Sequence, residues 1–174
     1  MGGTRLPPVA SALTTGKDAG VSAPHRLLFV CTANIARSPM ADAFARRYAD
    51  ERRWRIEVQS AGTHAIPGEP AAPNSVKAVR ELGADLLSGH RSQPMTDELV
   101  AWADRILVME MRHAKDVRER FPAADEKVQL LGTFGGLVEI ADPYGSWIFT
   151  FRRRRDEIRT CVEAFMDRLP PRPR

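Results

Sequence analysis

Cys31 and Arg37 stand six positions apart, and Ser38 follows the arginine directly. The apolar run 25–31 is typical of a buried strand that ends at the cysteine, and Ser38, followed by proline, indicates the start of a helix. A tight loop between a strand and a helix turns its amide N–H groups inward, and the helix adds unpaired N-terminal donors. The segment 31–38, CTANIARS, is therefore predicted to be a phosphate-binding loop.

Two side chains of this loop are expected to have different roles in catalysis. Arg37 is suited to gripping two phosphate oxygens with its guanidinium fork, while Cys31 is expected at the bottom, facing phosphorus. The positive surroundings and a hydrogen bond from Ser38 are expected to stabilise the thiolate. A thiolate in this position would attack phosphorus and form a cysteinyl-phosphate, which water then hydrolyses. The expected phosphate-binding residues are Thr32, Ala33, Asn34, Ile35, Ala36, Arg37 and Ser38.

Asp142 is the candidate general acid, because the departing oxygen needs a proton. It opens the sequence Asp-Pro-Tyr within a long glycine-containing loop, 132–146. The aspartate would first protonate the leaving oxygen and then act as base for the attacking water. Pro143 would restrain the loop, and Tyr144 would pack beside an aromatic leaving group. Asp-Pro is also a common turn dipeptide, so a plain turn aspartate is the alternative.

Strands and helices alternate along the chain. This alternation argues for an α/β fold: a single three-layer domain with a four-stranded parallel sheet, helices on both faces and the phosphate-binding loop after the first strand. Sites in such sheets form at the carboxyl ends of the strands, where Cys31 and the 132–146 loop would meet. Hydrophobic patterning predicts strands at 25–31, 55–60, 106–109 and 128–131, and helices around 39–53, 76–82, 96–99, 111–117 and 147–169.

The bulk composition fits one soluble domain with a hydrophobic core. The chain has 174 residues, of which 43% are hydrophobic and 28% charged. No apolar run approaches the roughly 18 residues that span a bilayer, or the core of about 7–15 residues that a secretory signal needs. We expect a disordered tail or an over-long start of the reading frame at 1–25, a globular domain at 26–169 and a short tail at 170–174.

Charge and cysteine content exclude few partners by themselves. The net charge of +4 and pI near 9.5 are compatible with anionic partners but do not indicate nucleic acid. The two cysteines, Cys31 and Cys161, lie far apart, which argues against a disulfide framework and fits a reducing cytoplasm. None of the four histidines has metal-ligand spacing, so we expect no metal site.

From residue 26 to residue 169 the chain resembles the low-molecular-weight protein-tyrosine phosphatases of bacterial type. The resemblance implies a cytoplasmic enzyme that hydrolyses phosphotyrosine in proteins without a cofactor, with Cys31 as nucleophile, Arg37 as phosphate clamp and Asp142 as general acid and base. The motifs that carry it occur in the order they have in the family. They are Val30-Cys31, Asn34, Arg37-Ser38-Pro39, Ser60-Ala61-Gly62, Met109-Glu110 and Asp142-Pro143-Tyr144.

The chain departs from the family pattern at two single positions and in one short segment. Ala33 stands where the family usually has glycine, so the loop would be strained if that position needs positive φ. Ala36 replaces a second cysteine that in the family can protect the nucleophile through a disulfide, so oxidation of Cys31 is expected to run further toward irreversible acids. The wall segment 64–66 reads His-Ala-Ile, whereas the family often has Trp or another large residue there.

The same resemblance bears on the substrate pocket. Ile35 is similar to the tyrosine-specific branch, because phosphoarginine-specific relatives carry Thr at the matching place. Asn34 resembles the loop asparagine that holds a left-handed turn, which suits its side chain. The expected pocket residues are Ile35, His64, Ile66 and Tyr144.

Other functions and simpler roles stay open at this point. If Ala33 and Ala36 damage the loop, the chain would be a non-catalytic or weakly active phosphotyrosine-binding protein. Arsenate reduction on the same fold normally recruits further cysteines near residues 80–95, and this chain has none there. Cys161 is predicted to be structural, Trp147 to pack along the last helix or rim the site, and 152–155 to form a solvated helix face or a docking patch for acidic phosphoproteins.

Overall fold

Four parallel strands lie side by side in the computed structural model, which describes residues 23–174. Residues 1–22 of the expected N-terminal tail lie outside this range. The strands are β1 (His25–Cys31), β2 (Ile56–Gly62), β3 (Arg105–Val108) and β4 (Val128–Leu130). Their order across the sheet is β2-β1-β3-β4, and every neighbouring pair is parallel. The predicted four-stranded parallel sheet is therefore confirmed.

Helices connect the strands in the expected alternation. They are α1 (Arg37–Glu51), α2 (Pro73–Arg80), α3 (Asp97–Trp102), α4 (Met111–Arg120) and α5 (Ile148–Met166). Two short 3₁₀ helices, Pro122–Lys127 and Leu131–Gly135, flank β4. Within residues 23–174, no helix combines the length and the apolar composition needed to cross a lipid bilayer.

The central strand β1 supplies apolar side chains to both faces of the sheet, because successive side chains of a strand point in opposite directions. Leu27 and Phe29 belong to the cluster that α1 and α5 cover. Leu28 and Val30 belong to the cluster that α3 and α4 cover. This two-sided burial makes three layers and leaves Cys31 at the carboxyl end of a strand that is packed on both faces.

Helix α1 begins two residues earlier than its sequence suggests. Ser38 was expected to cap the helix, but the N-cap position is Ala36, and no side chain among the described residues caps it. The Ser38 hydroxyl instead contacts Cys31 and Asn34. The expectation of a serine cap is wrong because this hydroxyl serves the loop beneath the helix.

Two expectations about the last helix are also wrong. Trp147 does not continue its apolar stripe, because it stands at the N-cap of α5 with 78% of its surface exposed. Phe151 does continue the stripe and is buried. The run 152–155 is not a uniformly solvated face either, since Arg155 is buried and donates a hydrogen bond of 2.7 Å to the carbonyl oxygen of Ala78 in α2.

The last residues pair with the body of the protein. Pro173 forms an antiparallel bridge with Trp54, and the Arg55 amide donates to the carbonyl oxygen of Arg172 at 2.6 Å. His25, at the start of β1, lies 2.9 Å from the carbonyl oxygen of Pro170 through its Nε2 atom. The segment 170–174 thus closes the edge of the fold opposite Cys31.

Candidate active site

The loop between β1 and α1 carries a run of unpaired amide donors. Within residues 23–174, the N–H groups of 32–38 donate no hydrogen bond to another protein group. Helix α1 follows at once, so its first N–H groups also lack intrahelical acceptors. Such a run at a helix N-terminus is the kind of backbone that binds a phosphate dianion.

Asn34 holds the loop in shape. Its φ of 55° is left-handed, as expected for an asparagine in this turn. Its side-chain amide donates to Ser38 Oγ at 2.9 Å and to Ser60 Oγ at 3.0 Å, while its Oδ1 accepts from the Gln93 amide at 2.9 Å. His90 Nε2 lies 2.6 Å from the Asn34 carbonyl oxygen. The turn is therefore anchored to β2 and to the segment that follows α2.

Cys31 lies at the foot of this loop and borders a cavity. Its Sγ is 3.0 Å from Ser38 Oγ, while the Ala61 carbonyl oxygen is further from that hydroxyl, at 3.4 Å. The hydroxyl can therefore donate to the sulfur, which stabilises a thiolate.

Arg37 is almost completely buried, with 1% of its surface exposed. Its Nη1 donates to Glu110 and to the Ile140 carbonyl oxygen, and its Nη2 lies 3.0 Å from Asp142 Oδ2. Its Nε has no acceptor among residues 23–174, although the atom is buried. Because an unpaired buried donor is costly, this guanidinium is suited to an anionic oxygen supplied from the cavity.

Asp142 reaches the same guanidinium from the loop before α5. Its Oδ1 accepts a hydrogen bond of 3.1 Å from the Tyr144 amide, so the two residues form one turn. The side chain is 38% exposed and borders the cavity. The structure thus brings Asp142 next to Arg37 and to the cavity that Cys31 borders, although both residues lie far from it in the sequence.

Glu110 ties the arginine to the first turn of α4. Burial alone would raise its pKa, but hydrogen bonds from Arg112 and Arg37 outweigh burial and lower the pKa to about 2. The carboxylate is therefore charged at neutral pH and holds Arg37 in a fixed direction. The sequence offered Glu110 only as a family match, without this role.

His113 was missed as a residue of the site. It is buried, its Nε2 lies 2.8 Å from Thr32 Oγ1, and its Nδ1 lies 3.2 Å from the Glu110 amide nitrogen. Glu110 and His113 form a reciprocal capping box at the start of α4. An acidic residue three positions before another polar residue at a helix start is the signal that could have found it.

The departures from the family pattern leave the loop intact. Ala33 has no positive φ, since the non-glycine residues with positive φ in the described part of the chain are Asn34 and Arg53. The expected strain at Ala33 therefore does not arise. The backbone of β2 comes close to the loop at Gly62, where a Cβ atom would collide with the Thr32 carbonyl oxygen. Cys161 is buried on α5, as expected for a structural cysteine.

The cavity above Cys31 has a volume of about 370 Å³. All four expected pocket residues border it, and Glu69, which the sequence did not single out, borders it as well. Of the expected phosphate-binding residues, Asn34 and Ser38 are buried behind the cavity and do not border it with their side chains. The residues bordering the cavity are Cys31, Thr32, Ala33, Ile35, Ala36, Arg37, His64, Ile66, Glu69, Asp142 and Tyr144.

Comparison with known proteins identifies a matching family and relatives whose names indicate two different substrates. A family model described as low molecular weight phosphotyrosine protein phosphatase matches residues 26–172. A protein-arginine-phosphatase of Geobacillus stearothermophilus is 36% identical over 84% of this chain and 97% of its own. A probable low molecular weight protein-tyrosine-phosphatase, EpsP, of Ralstonia nicotianae is 37% identical over 82% of this chain and 94% of its own.

A solved structure gives the same fold with a ligand. Wzb of Vibrio vulnificus, in complex with benzylphosphonate, superposes with a TM-score of 0.78. It shares 29% sequence identity, and the match covers 84% of this chain and all of that one.

Proposed function

This chain belongs to the low molecular weight phosphotyrosine protein phosphatase family, and from that premise we propose that it hydrolyses phosphotyrosine in proteins through a phosphorylated Cys31. One observation carries the proposal. A cysteine sulfur with a hydroxyl at 3.0 Å lies at the foot of a run of unpaired amide donors, beside a buried guanidinium with an unpaired Nε.

The first step is attack by the Cys31 thiolate on phosphorus. The loop amides and Arg37 bind the three equatorial phosphoryl oxygens. The positive guanidinium stabilises the negative charge on these oxygens in the transition state. The phosphorus–oxygen bond of the ester breaks as the sulfur–phosphorus bond forms. Ser38 stabilises the thiolate before attack and the departing thiolate afterwards.

Asp142 supplies the proton for the leaving oxygen. Its carboxylate and a phosphoryl dianion compete for the same Arg37 guanidinium, so binding of substrate releases the carboxyl group toward the cavity. The added negative charge favours proton uptake by the complex. The same carboxylate then removes a proton from the water that hydrolyses the cysteinyl-phosphate, which returns Cys31 and inorganic phosphate. A reducing cytoplasm suits this chemistry, because it keeps the thiol reduced.

The apolar wall supports an aromatic substrate. Ile35, Ile66 and Tyr144 border the cavity, and this wall suits the flat face of a phenol ring. An isoleucine at position 35 offers no hydrogen bond to a guanidinium group.

Phosphoarginine is the second candidate substrate. Glu69 borders the cavity, and a carboxylate there can pair with the guanidinium of phosphoarginine. The Geobacillus relative, named as a protein-arginine-phosphatase, points in the same direction.

A kinetic comparison separates these substrates. We expect kcat/KM to be highest for a phosphotyrosine peptide, lower for the phosphoarginine peptide of the same sequence and lowest for the phosphoserine peptide. Ile35→Thr should shift the ratio toward phosphoarginine. If the wild type has the higher kcat/KM for the phosphoarginine peptide, the proposed phosphotyrosine specificity is wrong and phosphoarginine is the substrate.

Turnover and phosphate binding, measured for the wild type and for Cys31→Ser, distinguish an active enzyme from a binding module. This variant should lose p-nitrophenyl phosphate turnover while still binding inorganic phosphate in a calorimeter. Cys161→Ala, at the other cysteine, is the matched control and should keep turnover. Normal turnover by Cys31→Ser would refute the mechanism, and wild-type protein that binds a phosphopeptide without releasing phosphate would be a binding module.

A further inference from the structure

Thr32 and His113 form a partly buried contact that the proposed mechanism does not use. Thr32 follows Cys31 directly and borders the cavity. His113 lies behind it on α4, with 1% of its surface exposed, and its Nε2 is 2.8 Å from Thr32 Oγ1.

The position of the histidine proton follows from its other contact. His113 Nδ1 lies 3.2 Å from the Glu110 amide nitrogen, and an amide N–H only donates. Nδ1 is therefore the acceptor, so a neutral ring carries its proton on Nε2. Burial, assisted by the charge of Arg37, lowers the pKa of His113 to about 4, which agrees with a neutral ring at pH 7.

This proton assignment fixes the role of the threonine hydroxyl. Thr32 Oγ1 accepts from His113 Nε2–H, so its own hydrogen is left to be donated elsewhere. Among residues 23–174, Thr32 Oγ1 has no other hydrogen-bond partner. The acceptor then has to come from the cavity that Thr32 borders.

We propose that the Thr32 hydroxyl donates a hydrogen bond to the phosphoryl group held above Cys31, and that His113 is the positioning residue that turns the hydroxyl toward it. The proposal rests on the proposed function, because it assumes that the cavity takes a phosphoryl group. It adds a side-chain donor to the loop amides and to Arg37.

Affinity for inorganic phosphate, measured by calorimetry, tests the donor without requiring turnover. Thr32→Val keeps the shape of the side chain and removes the hydroxyl, so phosphate affinity should fall by about 10-fold or more, as for a lost hydrogen bond to a charged group. Thr32→Ser should recover most of that affinity. Thr133→Val, which removes a hydroxyl from a turn away from the cavity, should bind phosphate like the wild type.

A double-variant cycle tests the positioning role. His113→Phe should weaken phosphate binding in the wild-type background but not in the Thr32→Val background, because the histidine acts through the hydroxyl. If His113→Phe does not fold, His113→Gln replaces it in the same cycle. Equal weakening in both backgrounds would overturn the role of His113, and wild-type phosphate affinity in Thr32→Val would overturn the whole inference.

The result also separates this inference from the proposed function. If Cys31→Ser retains turnover, the nucleophile is wrong whatever the Thr32 variants do. If Cys31→Ser is inactive and Thr32→Val binds phosphate normally, only the present inference fails.

Discussion

The floor and the rim of the cavity are held in different ways. The floor, which comprises Cys31, Asn34, Arg37 and Ser38, is buried, and each of its side chains has a hydrogen-bond or ion-pair partner in the protein. The rim, which comprises His64, Ile66, Glu69 and Tyr144, lies on loops, and Tyr144 is 70% exposed. We therefore expect the buried floor to determine the reaction and the exposed rim to determine which substrate is preferred.

The difference has a structural origin. The floor ends the central strand β1 and is fastened from three sides, through Ser60 on β2, Gln93 after α2 and Glu110 at the start of α4. Within the described part of the chain, the rim side chains have no comparable set of partners, since His64 only contacts Thr63 and lies 3.9 Å from Asp116. Substitutions in the floor are therefore expected to slow hydrolysis of every phosphomonoester, whereas substitutions in the rim are expected to change substrate preference.

Among the substitutions considered, Arg37→Lys in the floor should reduce activity the most. A lysine keeps the charge but loses the planar fork and the Nε donor, so kcat/KM should fall by about 10³-fold for all phosphomonoesters. The measurement is steady-state turnover of p-nitrophenyl phosphate and of a phosphotyrosine peptide. Arg152→Lys, in the exposed pair with Glu81, is the matched control and should retain activity. A loss confined to one substrate would contradict the assignment of Arg37 to the floor.

Asp142→Asn probes the group that lies between floor and rim. The amide cannot donate the proton that the leaving oxygen needs, so kcat for phosphotyrosine should fall by about 10²-fold. The fall should be smaller for p-nitrophenyl phosphate, whose leaving group is a weaker base. Equal effects on the two substrates would argue that Asp142 positions Arg37 rather than donating a proton.

Acid should destabilise the protein through His113, the buried histidine beneath the floor. The pKa of His113 is lowered from 6.5 to about 4, chiefly by burial, so between these values the unfolded chain binds more protons. The stability this histidine contributes is therefore complete above pH 6.5 and is lost as the pH falls toward 4. Between pH 7 and pH 4.5 the loss should be roughly 2–3 kcal/mol.

Urea unfolding at those two pH values measures this loss. In His113→Gln the difference in unfolding free energy between the two pH values should shrink by about the same amount, although the variant itself is less stable. An unchanged difference would show that the acid sensitivity comes from other groups.

Tyr144→Ala should have the smallest effect and should act on the rim alone. Loss of the ring removes one aromatic contact, so KM for a phosphotyrosine peptide should rise by about 3- to 10-fold while kcat changes little. Trp147→Ala, at an exposed aromatic residue that does not border the cavity, is the control. A large fall in kcat for Tyr144→Ala would mean that floor and rim are not separable.

The sequence predicts the local parts of this site well. The strand, loop and helix around Cys31 follow from an apolar run, turn-like residues and a helix start, all within a short stretch of chain. Asp142 could be proposed because it lies in a long loop at the same edge of a parallel sheet.

The partners of these residues are not visible in the sequence. The contacts of Arg37 with Glu110 and of Thr32 with His113 join segments that are 73 and 81 residues apart, and periodicity within a segment carries no information about such pairs. Ser38 shows the related failure of a local rule, because its hydroxyl serves the Cys31 sulfur rather than the helix end. Trp147 lies just outside the helix, where helical periodicity no longer decides what is buried.

Trapping the phosphoryl group on the protein would test Cys31 as the nucleophile most directly. Wild-type enzyme is mixed with a radiolabelled phosphotyrosine peptide, quenched in acid within milliseconds and digested for mass spectrometry. We expect labelled phosphate on the peptide that contains Cys31, and no label in Cys31→Ala under the same conditions. Steady release of phosphate with no phosphorylated Cys31 at any quench time would contradict it.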